Sequence, residues 1–151
     1  MTTPSHVRLT VALTAMLMLL ASCGGTEIPE ADQLTSADVV EALAAAGLEA
    51  ESPSPMTPPD FGIAPVLTDD ATRFLIPSLG EDAGGRAFVF DATSDLEKVR
   101  DVYDQLGRES GLLFSWTFTN EAAGVLVQIN GTLPETQASE YETAVDALGG
   151  V

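Results

Sequence analysis

Residues 112–130 read LLFSWTFTNEAAGVLVQIN, and this stretch decides the fold. In its first half, large apolar residues at 112, 114, 116 and 118 lie on one face, and Ser115, Thr117 and Thr119 lie on the other. In its second half, Val and Ile at 125, 127 and 129 alternate with Leu126, Gln128 and Asn130. A period of two is the signature of a strand, and the intervening NEAAG supplies turn residues. We therefore predict a hairpin of two antiparallel strands, Leu112–Thr119 and Val125–Asn130.

Helices and further strands are predicted on the N-terminal side of this hairpin, and one helix after it. Capping residues and glycine stops predict three helices. The first runs from Thr35 or Ser36 to Gly47. The second has a capping box at Ser94 and Glu97 and ends at Gly107, and the third begins near Pro134. Apolar runs predict short strands at Leu48–Glu51, Arg73–Pro77 and Arg86–Asp91.

The order of these elements indicates an α+β fold, with about three helices on one face of a mainly antiparallel sheet. The part from Arg86 to Leu148 follows a β-α-β-β-α order, which is partly ferredoxin-like. That topology needs a fourth strand, either Leu48–Glu51 or Arg73–Pro77. The predicted core consists of Leu96, Val99, Tyr103, Leu106, Phe114, Trp116, Phe118, Val125, Val127, Ile129, Tyr141 and Val145. Trp116 is assigned to this core rather than to a binding stripe, because Ser and Thr occupy the opposite face of its strand.

Residues 1–22 have the pattern of a signal peptide. Arg8 precedes the uncharged run LTVALTAMLMLL, which is too short to span a bilayer as a helix. Leu20-Ala21-Ser22-Cys23 follows this run and resembles the lipobox of bacterial lipoproteins. The resemblance implies cleavage before Cys23 and attachment of acyl chains such as palmitate to this residue. The alternative is an ordinary signal peptide cleaved after Ser22, with an incidental thiol at Cys23.

A lipidated Cys23 implies that the protein is membrane-anchored and extracytoplasmic, on the outer side of the cytoplasmic membrane or on the outer membrane. Residues 23–34 then form a flexible tether that extends roughly 18 Å as a coil. Residues 35–151 form a single domain. The implied partners are the membrane, through the lipid, and an unknown envelope protein or ligand.

The composition excludes several classes of function. A net charge of −17 disfavours nucleic acid as a partner, because both surfaces are negative. Since Cys23 and His6 are the chain's only Cys and His, the mature domain has no imidazole and no free thiol for catalysis or metal binding. We therefore expect no cofactor, no metal site and no catalytic residues.

Two hypotheses about function remain open at this level. The first is a non-catalytic binding or interaction module of the cell envelope. The alternative is a small acidic surface hydrolase that depends on carboxylates or a cation. Asp69, Asp70, Glu81 and Asp82 are oxygen ligands suited to a hard cation such as Ca²⁺, but their spacing fits no EF-hand loop and favours solvated surface acids.

The Pro-rich segment Ser52–Thr72 is predicted to be a loose loop, since proline cannot donate to a strand ladder. With the glycine-rich turn Ser78–Arg86, it forms the candidate recognition surface, and a variant of this hypothesis makes the loop a lid over a ligand. The candidate residues are Met56, Phe61, Ile63, Glu81, Asp82 and Arg86. The alternative is that Phe61 and Ile63 only cover a sheet edge or the end of the core.

The block FSWTF…VLVQINGTLPE, followed by a helix with Tyr141, resembles a small bacterial lipoprotein family of unknown function. Some members of that family are called stress proteins. The resemblance implies no mechanism and assigns no functional residue.

Overall fold

The structure is a computed structural model that describes residues 34–149. The predicted signal peptide, Cys23 and all of the tether except Leu34 lie outside the described residues. The helices are α1 (Ser36–Ala45), α2 (Thr93–Glu109) and α3 (Glu135–Asp146), and the strands are β1 (Glu51–Pro55), β2 (Ala71–Leu75), β3 (Gly84–Val89), β4 (Ser115–Asn120) and β5 (Val125–Asn130). None of the helices in this part of the chain is long and apolar enough to cross a bilayer.

The strands form one antiparallel sheet in the order β1-β2-β3-β5-β4. The predicted hairpin is β4 and β5, and β5 lies between β3 and β4, as a split β-α-β unit requires. The fourth strand beside β3 is β2, which is the Arg73–Pro77 alternative shifted by two residues. The α+β class and the antiparallel sheet are confirmed.

The helices lie on both faces of the sheet, so their predicted placement on one face is wrong. Ala87 and Val89 of β3 pack in one apolar cluster with α1 and α3. Phe88, which points the other way, packs in a second cluster with α2. The central strands carry apolar residues on both faces, and each face therefore needs a cover.

Eight of the twelve predicted core residues are buried, three are half-buried against the core, and one prediction is wrong. Phe114 is 41% exposed, because it precedes β4 instead of standing within it. Leu106, Trp116 and Phe118 are half-buried against the two clusters. Trp116 also donates a hydrogen bond from Nε1 to the carbonyl of Leu133 at 2.9 Å, which confirms its assignment to the core.

The predicted N-cap is correct for α1 and wrong for α2. The side chain of Thr35 caps α1 and forms a capping box with Asp38. In contrast, α2 begins after Ala92, whose carbonyl accepts hydrogen bonds from the N–H groups of Asp95 and Leu96. The predicted capping box at Ser94 and Glu97 is therefore wrong, because both residues already lie inside the helix.

The Pro-rich segment is more ordered than predicted. Its first residues belong to β1, an edge strand in which the missing N–H groups of two prolines are tolerated. Ser52 has a φ of +51°, and the register with β2 shifts between Glu51 and Ser54. A short 3₁₀ turn follows at Pro58–Phe61. Apart from residues 56 and 57, only residues 62–70 are irregular, so the prediction of a long loose loop is wrong.

Candidate functional site

Four polar side chains occupy directly opposite positions on four neighbouring strands. Arg73 on β2 pairs with Arg86 on β3, Arg86 pairs with Gln128 on β5, and Gln128 pairs with Thr117 on β4. Directly paired residues point to the same face of a sheet. We call this set, Arg73, Arg86, Gln128 and Thr117, the polar row.

The polar row lies on the α2 face of the sheet, beside an apolar row that α2 covers. Two residues along each central strand, Ala71, Phe88 and Leu126 are buried in the α2 cluster. The ring of Phe88 lies 5.8 Å from Phe61 and 6.3 Å from Tyr103, measured between centroids. These aromatic rings form the boundary at which the apolar half of the face ends and the polar half begins.

A surface cavity of about 350 Å³ opens over the polar row. Its polar lining residues are Asp60, Arg73, Asp82, Arg86, Gln128 and Asn130. Gly84 also lines it, and a Cβ at this position would lie 1.9 Å from the carbonyl oxygen of Phe74. The close pairing of β3 with β2 therefore leaves no room for a side chain at position 84 of the cavity lining.

Arg86 is half-buried and donates from Nη1 to Oε1 of Gln128 at 2.8 Å. Among the ion pairs within residues 34–149, none joins Arg86 to a carboxylate. Arg73 is held only loosely, with Nη1 3.7 Å from Oδ1 of Asp60 and almost half of its side chain exposed. Two guanidinium groups thus stand side by side, and the Arg73–Asp60 contact is the one ion pair that either of them forms within residues 34–149.

Asp60 forms its hydrogen bonds with the neighbouring Thr57. Its Oδ2 accepts hydrogen bonds from the hydroxyl of Thr57 at 2.6 Å and from the N–H of the same residue at 2.7 Å. These two bonds, in that order, lower the pKa of Asp60, and the charges of Arg73 and Arg86 add a smaller effect of the same sign. Asp60 therefore stays ionised at the rim of the cavity but is not a strong partner for either arginine.

Three buried hydroxyl groups on the same face have no hydrogen-bond partner within the described part of the chain. They belong to Tyr103, Ser115 and Thr117. Ser115 and Thr117 pair with Asn130 and Gln128 on β5, so both lie beside the cavity. Burial raises the pKa of Tyr103, and the charge and the N–H donors of the nearby Arg86 oppose that shift. Unpaired buried hydroxyls are rare because each costs about 1–3 kcal/mol, so a group of three calls for an explanation.

The structure brings together only part of the candidate recognition surface. Asp82 and Arg86 line the cavity, whereas Glu81 is exposed and does not line it. Phe61 is only 6% exposed and packs on Phe88, so it covers the core, as the alternative expectation had it.

The two remaining candidates from the Pro-rich segment also lie apart from the cavity. Met56 is half-buried against the α2 cluster. Ile63 is 71% exposed, so it does not cover the core. The predicted lipidation site, Cys23, lies outside the described residues.

Sequence reasoning missed Arg73, Gln128 and Thr117 as site residues. A usable signal was present in the sequence. Arg73, Arg86 and Gln128 each interrupt an otherwise apolar strand, and each lies two positions from a buried residue on the same face of that strand. Their alignment in one row depends on the strand order and register, which a single strand does not encode.

The acidic residues considered as cation ligands are not assembled into a site. Asp70 instead accepts hydrogen bonds from the backbone N–H of Ser36 at 3.1 Å and from its hydroxyl, and so holds the start of α1. Within residues 34–149, no group of three or more His, Cys, Asp or Glu side chains is arranged to hold a metal ion.

Comparison of the chain with protein-family models, with curated proteins and with solved structures found no match.

Proposed function

We propose that this protein is a lipid-anchored, extracytoplasmic module of the cell envelope that binds a small ligand without transforming it. The anchor is supported by the lipobox-like Leu20-Ala21-Ser22-Cys23 and by the position of the chain's only Cys directly after it. The binding role is supported by the cavity over the polar row.

The observation that carries the binding role is the direct pairing of Arg73 with Arg86. Residues 34–149 hold only five Lys and Arg side chains, and two of these occupy facing positions in the sheet. Like charges directly opposite each other destabilise a sheet. Features that lower stability without serving packing are expected at functional sites.

The position of the cavity suits a ligand that arrives from solvent. Leu34, where the tether joins the domain, lines a hollow together with Val89 and Asp91 near the C-terminal end of β3. The polar cavity lies near Gly84, at the other end of the same strand. At about 3.3 Å per residue, the two ends are roughly 17 Å apart. The cavity therefore opens away from the point of attachment.

Native mass spectrometry tests the binding role directly. The full chain in detergent is incubated with the small-molecule fraction of a cell-envelope extract, desalted and examined for retained mass. We expect wild type and Lys98→Gln to retain a compound that Arg86→Gln does not. Lys98→Gln is a suitable control because it also removes one positive charge, from an exposed position on α2 that lines neither hollow.

Two results would contradict this proposal. Retention of no compound by wild type, or equal retention by all three proteins, would mean that the cavity is not a binding site. Conversion of an added compound, instead of its unchanged retention, would favour the hydrolase alternative.

A further inference from the structure

We infer that the ligand of the polar-row cavity carries a carboxylate group and that Arg86 is the residue that anchors it. This inference rests on the proposed function, because it names the chemical class of the ligand at the same site.

The first argument is the unused donor capacity of the two arginines. A guanidinium group has five N–H donors in a planar fork. Arg86 donates one hydrogen bond, to the neutral Oε1 of Gln128, and its guanidinium lies near the hydroxyl of Tyr103. Among the described residues, Arg73 has only the long 3.7 Å contact with Asp60. Side chains directly opposite in an antiparallel pair have Cβ atoms about 5 Å apart, so one planar oxyanion can contact both groups. Such an anion would also remove the repulsion between them.

The second argument concerns the charge of the ligand. Asp60 and Asp82 stand at the rim of the cavity, and the described domain is strongly acidic. A multiply charged anion such as phosphate would be repelled by both the rim and the whole domain. A singly charged, planar carboxylate matches the arginine fork and meets the least repulsion.

The third argument concerns the remainder of the ligand. The hydroxyls of Tyr103, Ser115 and Thr117 are buried without partners on this face. A second hollow of about 280 Å³, lined in part by Tyr103 and Ser115, lies next to the cavity, since Ser115 pairs with Asn130. Hydroxyl groups can donate or accept, so they suit the amide or hydroxyl groups of a small polar molecule. A molecule about as large as an amino acid or a dipeptide fits this space.

Isothermal titration calorimetry on the full chain in detergent tests the inference with matched probes. L-alanyl-L-alanine supplies a carboxylate, its C-terminal amide lacks one, and inorganic phosphate supplies a different oxyanion. We expect the dipeptide to bind at least tenfold more tightly than its amide and than phosphate. Arg86→Gln should weaken dipeptide binding at least tenfold, and Lys98→Gln, at an exposed position on α2 away from both hollows, should leave it unchanged.

Two further variants keep the test informative if Arg86→Gln is unstable. Arg86→Lys retains the positive charge but loses the planar fork, so we expect it to fold and to bind the dipeptide several-fold more weakly. Gln128→Glu places a carboxylate beside Arg86 within the protein itself. We expect it to raise the melting temperature and to abolish dipeptide binding, whereas Gln137→Glu on the exposed side of α3 should do neither.

The inference is overturned if the amide binds as tightly as the dipeptide, if phosphate binds more tightly, if no probe binds, or if Arg86→Gln has no effect. The proposed function is tested separately, by the mass spectrometry experiment. If wild type retains an envelope compound that lacks a carboxylate, the binding role stands and the carboxylate inference is wrong.

Discussion

Tyr141 joins distant parts of the chain through one hydrogen bond. Its hydroxyl donates to the carbonyl of Glu49 at 2.6 Å and so ties α3 to the connection between α1 and β1. Burial raises the pKa of Tyr141 to about 12, with a further contribution from the negative charge of Glu49. The native state therefore keeps this proton more strongly than the unfolded state does.

This shift predicts an alkaline loss of stability. Below pH 10 the phenol is protonated in both states, and its contribution to stability is fully present. Between pH 10 and pH 12 the unfolded state releases the proton first, so the free energy of unfolding falls by at most about 1.4 kcal/mol per pH unit. Urea denaturation across this range measures the slope.

The matched variant for this prediction is Tyr141→Phe, which should be less stable at pH 8 and lose stability less steeply above pH 10. Tyr103 is the only other tyrosine in the chain, and its pKa is also raised by burial. Some slope should therefore remain in the variant. An identical slope in variant and wild type would show that Tyr141 is not the group responsible.

At the scale of elements, β3 is the strand that joins both apolar clusters to the polar cavity. Its residues alternate between the two apolar clusters, and its N-terminal end consists of two glycines where the polar cavity opens. A Cβ on Gly85 would lie 2.4 Å from the ring of Phe74 and 2.9 Å from the carbonyl oxygen of Gln128. The glycine pair therefore reflects close packing within the sheet.

We expect Gly85→Ala to destabilise the protein by at least about 2 kcal/mol, because neither the buried Phe74 ring nor the backbone of β5 has room to move. Chemical denaturation of purified protein measures this difference. Gly111→Ala is the control, since a Cβ at Gly111 meets nothing within 4 Å. Equal midpoints for the two variants would show that β3 tolerates a side chain at position 85.

The distribution of charge is a property of the whole molecule. The chain without residues 1–22 has five basic side chains against 23 acidic ones, a net charge of −18. Lys98 and Arg100 pair with carboxylates on the surface, whereas Arg73 and Arg86 lie together at the polar cavity. The cavity therefore gathers two of the five basic side chains of the described domain, with the carboxylates of Asp60 and Asp82 at its rim.

The proposed lipid anchor at Cys23 determines where the whole molecule is located. We expect Cys23→Ser to prevent lipid attachment while the domain still folds, because every element of the described domain begins at or after Ser36. The variant should leave the membrane fraction or remain unprocessed, as judged by membrane fractionation and intact mass. Ser22→Ala is the control, since it keeps a small residue before Cys23. A processed Ser variant that stays with the membrane would contradict the lipobox interpretation.

Local patterns in the sequence were sufficient for much of the fold. Strict alternation predicted β4 and β5, and the Thr35 cap with Gly47 predicted α1, because these signals depend on residues that are close in the chain. They failed where tertiary contacts decide the outcome. Phe114 follows the alternation but falls outside the strand, and the prolines of β1 are tolerated only because the tertiary fold places that strand at the edge of the sheet.

The sequence by itself determined the α+β class, the hairpin, the acidic charge and the lipobox-like segment, since each of these depends on composition or on neighbouring residues. Only the tertiary structure decided that α2 covers the face opposite α1 and α3. Only the tertiary structure aligned Arg73, Arg86, Gln128 and Thr117 in one row. The physical reason is that strand order and register bring together residues as many as 55 positions apart, and no local pattern encodes which strand will become the neighbour of another.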